Sequence, residues 1–154
     1  MGLFSAIKSA VKSVTGGAAK VTLDVPAMAY AGDEVQVRIT CTSTGGEVKS
    51  QGVFVDLVGC EKVNIKGASN SSGEKQDVNV TNNTFSQAFQ IAGPLVLGAN
   101  EAREFTGTFR IPASLQPSYT GVHAHHEWQL RGRLEAWGND PDSGFKPMKI
   151  VVKT

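Results

Sequence analysis

Gly32-Asp33-Glu34-Val35-Gln36-Val37-Arg38-Ile39-Thr40-Cys41-Thr42 decides the fold. Val35, Val37, Ile39 and Cys41 alternate with Glu34, Gln36, Arg38, Thr40 and Thr42. Successive side chains of a β-strand point to opposite faces, so a strict period of two marks a strand with one buried face. The β-branched residues suit a pleated surface. The same parity places Cys41 in the core, where a free thiol behaves as a small hydrophobe.

Outward from this strand the period of two recurs. Val21, Leu23 and Val25 alternate with Lys20, Thr22 and Asp24, and Pro26 ends that strand because it has no N–H to donate to a ladder. Gly45-Gly46 turns the chain into a strand over 52–59, with Val53, Val55 and Leu57 on one face. Lys66 to Asp77 is polar and rich in Gly, Ser and Asn, and reads as a mobile loop. Val78 and Val80 predict a short strand, and Phe85, Phe89 and Ile91 alternate beyond it. Arg103 to Ile111 is a further strand with Phe105, Phe109 and Ile111 inward. One long strand is expected from Tyr119 to Trp137, with Val122, Ala124, His126, Trp128, Leu130, Leu134 and Ala136 on its inner face. Met148, Ile150 and Val152 form the last strand. About eight strands at this spacing, with no helix between them, predict an all-β, immunoglobulin-like antiparallel β-sandwich.

The N-terminus follows a different period. Leu3, Phe4, Ile7, Ala10, Val11 and Val14 recur three and four apart, which predicts a short amphipathic helix over residues 2–15. Ser5, Lys8, Ser9, Lys12 and Ser13 take the opposite side, and Gly16-Gly17 stops the helix. The chain therefore divides into an amphipathic helix and glycine linker over 1–17 and a sandwich domain over 18–154. A helix this short is marginal alone in water, so it is expected to dock on its own sandwich, on a second copy, or on a membrane surface. Leu3, Phe4, Ile7, Val11 and Val14 are its candidate partner or membrane contacts.

Composition narrows the function classes. At 154 residues a single domain buries about 70% of its unfolded surface and needs no metal or disulfide to fold. A formal net charge of +1 gives no field to concentrate nucleic acid. No apolar stretch approaches the roughly 20 residues of a membrane-spanning helix. Lys8 and Lys12 interrupt any secretory core, and Ala6 stands where a myristoylation signal wants Ser or Thr. A cytoplasmic protein, at most membrane-peripheral, is the expectation. Cys41 and Cys60 form no CxxC pair, and a bridge between them is open but unneeded. No nucleophile elbow, P-loop or dinucleotide fingerprint occurs, so an enzyme is not expected, nor is a cofactor.

The order of motifs resembles a known family. Gly17-Ala18-Ala19-Lys20-Val21, Gly32-Asp33-Glu34-Val35 and Gly45-Gly46-Glu47-Val48-Lys49-Ser50-Gln51-Gly52-Val53 look like the N-terminal half of bacterial sporulation-control proteins of the arrestin-like group. Phe105 to Pro112, then Pro117-Ser118-Tyr119-Thr120-Gly121 and the strand through Trp128-Gln129-Leu130, look like the second half of an arrestin N-domain. Asn139-Asp140-Pro141-Asp142 sits at such a domain's Asp-Pro turn. The resemblance implies one arrestin-like sandwich acting as a scaffold or regulatory module in a bacterial cytoplasm, through protein–protein contact. Relatives carry two sandwiches in tandem, so a groove between two domains is expected only if chains pair into a homo-oligomer. Fold alone assigns no ligand.

The sharpest local feature is His123-Ala124-His125-His126-Glu127. On a strand, His123, His125 and Glu127 share the solvent face, and two imidazoles two residues apart can converge on a metal ion, with Glu127 as third ligand. The plainer reading is a polar strand face that happens to carry histidine. His126 has the opposite parity and is expected beside Trp128, hydrogen-bonded to a neighbour. Arg131 and Arg133, with Lys49 and Arg110, either form a basic patch or are solvated and pair with Glu127 and Glu135. Trp128 and Trp137 are expected in core and rim packing.

Overall fold

The computed structural model of the protein describes residues 19–153. The helix expected over 2–15, with its contacts Leu3, Phe4, Ile7, Val11 and Val14, lies outside the described residues. The described elements are all strands: β1 (Ala19–Asp24), β2 (Met28–Tyr30), β3 (Glu34–Ser43), β4 (Val48–Ser69), β5 (Lys75–Ala92), β6 (Leu95–Leu97), β7 (Ala102–Arg110), β8 (Tyr119–Thr120), β9 (Ala124–Ala136) and β10 (Lys146–Val151).

Two sheets face each other. One has the order β1-β3-β7, the other β2-β10-β9-β4-β5, with β6 added on β4 and β8 on β9. Every pairing is antiparallel except the short β2–β10 contact, which is parallel. The expected sandwich is therefore present, with one parallel pairing at an edge.

The quoted strand is β3, and its alternation is the alternation of burial: Val35, Val37, Ile39 and Cys41 are buried. They meet Val53, Val55 and Leu57 of β4 and Trp128, Leu130 and Leu134 of β9 in one core. A Cβ on Gly132 of β9 would lie 3.4 Å from Ile39. Phe89 of β5 packs on Phe109 of β7 with ring centroids 4.9 Å apart.

Three expectations need correction. The loop expected over 66–77 is the end of a hairpin: β4 runs to Ser69, β5 starts at Lys75, and the chain turns only between them. The Asn70 carboxamide oxygen accepts from the Ser72 and Glu74 amides at 2.9 and 3.0 Å. Gly73, at φ 83°, supplies the left-handed residue of the turn. Second, β5 is continuous from Lys75 to Ala92 rather than two short strands. Third, the long strand expected from Tyr119 is broken. Tyr119 and Thr120 fold back on β9 opposite His126 and His125, and the Gly121 amide donates to the Ala124 carbonyl at 2.7 Å. Val122, assigned inward, is 92% exposed, and Trp137 projects fully into solvent from the β9–β10 connection instead of packing at the rim.

Gly59 shows how tightly the middle of β4 is packed. A Cβ there would come within 2.8 Å of both the Trp128 ring and the Thr84 hydroxyl. Trp128 is 1% exposed and edge-on to Phe85 at 5.4 Å. Gly59→Ala is expected to destabilise the protein by about 1–3 kcal/mol through overpacking. Urea denaturation of the two proteins checks this, and an unchanged midpoint would show that the ring has room to move.

Candidate functional site

β9 carries a different set of polar groups on each face. On the inner face His126 is buried with both ring nitrogens occupied. Nδ1 lies 3.1 Å from the Pro117 carbonyl and Nε2 lies 2.6 Å from the Thr84 hydroxyl. A carbonyl only accepts, so Nδ1 carries a proton, and the hydroxyl can donate to Nε2. Trp128 Nε1 donates to the Gln116 carbonyl at 2.8 Å. Two residues of β9 thus hold the irregular crossing over 112–118, whose carbonyls lack a strand partner. His126 meets Trp128 edge-on at 5.2 Å, the arrangement that parity predicted.

Tyr119 extends this cluster to the surface. Its ring stacks on His126 with centroids 6.1 Å apart, and its hydroxyl donates to Glu61 Oε2 at 2.6 Å. That bond, joined by Gln116, holds the Glu61 carboxyl below its ordinary value. A groove of about 590 Å³ runs alongside, lined among others by Tyr119, His126, Trp128, Met148 and Lys149.

On the outer face His125 Nε2 lies 2.7 Å from Glu127 Oε1, and Lys62 Nζ lies 3.4 Å from the same oxygen. The bond to His125, aided by Lys62 and opposed by a burial effect, lowers the Glu127 carboxyl. His123 lies in the bend before β9, not in the row with His125 and Glu127, and its carbonyl accepts from the Asn64 amide at 2.7 Å. Among the described residues no group of three or more His, Cys, Asp or Glu side chains is gathered to hold a metal ion. Cys41 and Cys60 are buried free thiols, and burial pushes the Cys41 thiol up to about 11.

The two arginines of β9 do not form a basic patch. Arg131 donates through Nε and NH2 to Asp56 Oδ2 at 3.1 and 2.9 Å. Arg133 grips both oxygens of the same carboxylate at 3.1 and 3.2 Å, and its NH1 donates to Asp140 at 3.0 Å. Burial works against the Arg133 charge, but Asp56 and Asp140 outweigh it and hold the guanidinium firmly protonated. Arg110 lies on the other sheet, where it donates to the Gly32 carbonyl and pairs with Glu34. Nor is Glu127 a partner; the expected pairing with Glu135 survives only as a 3.9 Å contact. Sequence reasoning missed Asp56, which stands opposite Arg131 across the β4–β9 ladder. Its signal was a lone carboxylate inside the apolar run Val53-Phe54-Val55-Asp56-Leu57-Val58.

The remaining surface of note is an edge. Among the described residues β5 pairs with β4 on one side only, and most of its residues are exposed. Beyond Val63, where β4 loses β9, β4 and β5 continue as a two-stranded arm.

These features make an arrestin-like sandwich fold: two facing sheets, open edges and an irregular crossing fastened to β9. The solved structure of Spo0M, a sporulation control protein from Bacillus subtilis, matches with a TM-score of 0.60 at 19% identity, over 89% of this chain and 51% of that one. The resemblance to sporulation-control proteins thus holds at the level of fold, and the chain spans about half the length of that relative. Pseudomonas fluorescens alkylpurine DNA glycosylase AlkC, bound to DNA containing an abasic site analogue, matches at TM-score 0.42 and 15% identity over 87% of this chain and 31% of that one, too low to indicate a shared fold. No family model matches the chain, and no curated protein matches it in sequence. No helix among the described residues is long and apolar enough to cross a membrane.

Asp56→Ala would leave Arg131 and Arg133 half-buried without their shared carboxylate. A loss of about 2–3 kcal/mol is expected, below the cost of a fully buried pair because both guanidinium groups retain some solvent. Chemical denaturation reads it directly, and a loss under about 0.5 kcal/mol would match a surface pair instead. Glu61 and Glu127 have lowered folded-state values, so their contribution is present above the ordinary glutamate value of 4.5 and is lost as pH falls through the folded values. Stability should therefore drop below about pH 4.5, with a shallower slope in Glu61→Gln. Urea melts across pH 3–6 test this, and identical slopes in the two proteins would remove Glu61 from the account.

Proposed function

We propose that the protein is a non-catalytic binding and scaffold module that works by protein–protein contact, with the outer edge of β5 accepting an added strand. The observation that carries this reading is β5 itself, a long strand that among the described residues is paired on one side only. Its free N–H and C=O groups can extend the sheet by main-chain hydrogen bonding, and alternate side chains then select the partner. The sandwich shared with Spo0M, a sporulation control protein, supports a regulatory rather than a catalytic role.

The test uses two lysines. Ser86 and Gln87 are exposed and lie on opposite faces in the middle of β5, opposite Val58 and Leu57. Ser86→Lys/Gln87→Lys places a charge on each face of the edge at two exposed positions, the device natural edge strands use against pairing. Affinity capture from cell extract, compared between the two proteins by quantitative mass spectrometry, should show proteins retained by the native chain and lost by the variant. The same set retained by both would move recognition away from β5.

A further inference from the structure

The edge of β5 differs from the other long edges in its chemistry. From Val78 to Ala92 the strand contains no Asp, Glu, Lys, Arg, Pro or Gly. β1 carries Lys20 and Asp24, and β7 carries Arg103, Glu104 and Arg110. Charges on an edge oppose pairing with a like strand, because antiparallel pairing of two copies brings each charge near its own counterpart. β5 has no such barrier.

Its geometry also defines a pairing run. The register with β4 shifts around Thr84, between the Gly59–Phe85 and Cys60–Asn83 pairs, and again around Ile91. Bulges bend a strand and interrupt a ladder, so Phe85–Gln90 between them is a regular six-residue stretch. This stretch is already fixed in the monomer, by Phe85 against Trp128 and Phe89 against Phe109.

Resting on the edge-recognition reading above, we propose that the strand added to β5 is β5 of a second copy of this chain. The two strands run antiparallel about a two-fold axis at Gln87 or Ala88, which keeps paired residues on the same face of the sheet. A two-fold interface requires a surface complementary to itself. An uncharged antiparallel strand meets that requirement, because neutral residues face neutral residues in any register within Val78–Ala92. The result is one sheet continuous across two sandwiches, which joins two copies of a fold by main-chain hydrogen bonds.

The experiment is sedimentation velocity on the purified full chain over a concentration series, with hydrogen–deuterium exchange at both ends of the series. The native chain is expected to pass from monomer to dimer as concentration rises, and residues 85–90 should exchange more slowly in the dimer. Ser86→Lys/Gln87→Lys should weaken association at least about tenfold while keeping its melting temperature. A native chain that stays monomeric overturns the proposal, as does a dimer that persists unchanged in the variant. Exchange in 85–90 that is independent of concentration overturns it too, even if the variant does not fold. A monomer whose capture of other proteins is still lost on lysine substitution would overturn the second-copy partner and keep the edge as a recognition surface.

Discussion

β4 is the strand on which the rest is assembled. It pairs with β9 on one side and β5 on the other, and holds β6 at its start. Its inward residues Val53, Val55 and Leu57 have no exposure, so apolar burial fixes which face turns to β3. Asp56 makes the opposite face equally specific. A one-residue slip against β9 would turn every side chain of the strand over and bring a carboxylate into the core, away from Arg131 and Arg133. An ion pair of this kind adds little net stability over an apolar replacement. Its consequence is that one register satisfies both faces and its neighbours do not.

The same residues explain what sequence alone made legible. β3, β7 and β9 from Ala124 onward each bury one face, so their period of two survives in the sequence and gives the core directly. His126 was readable for the same reason: its parity matched Trp128. The arm formed by β4 beyond Val63 and by the start of β5 pairs with no third strand among the described residues. Its polar residues therefore looked like a loop. Val63, Ile65, Val78 and Val80 alternate correctly, but a few apolar residues around a Gly-Ser-Asn turn did not distinguish a long hairpin from two fragments.

Long-range electrostatics were less legible. Arg131 and Arg133 alternate outward as expected, but their partner Asp56 lies on another strand, and its identity depends on the β4–β9 register. Val122 and Trp137 failed for a local reason. Each sits where β9 meets a turn, and parity has no meaning once the ladder has ended. Gly121 turns the chain before β9 begins, and Gly138, at φ 96°, turns it after β9 ends. The histidine run was divided by the same bend, which left His125 and Glu127 on the strand and His123 outside it.

The candidate site and the free edge are physically connected. The Thr84 hydroxyl that meets His126 belongs to β5, at the bulge that opens the Phe85–Gln90 run. His126 holds the crossing through Pro117, and Tyr119 beside it reaches Glu61 of β4. Phe85 leans on Trp128 at one end of the run, and Phe89 on Phe109 of the opposite sheet near the other. An edge strand that must order itself before accepting a partner spends part of the interaction on lost conformational freedom, about 1–2 kcal/mol for each backbone residue fixed. Here the ordering is done by the folding of the sandwich, so added main-chain hydrogen bonds can act on a strand already in place. The buried histidine is then a structural anchor at the start of the edge. Its strand neighbours His125 and Glu127 face the other way, beside Lys62, on the outer surface of the same sheet.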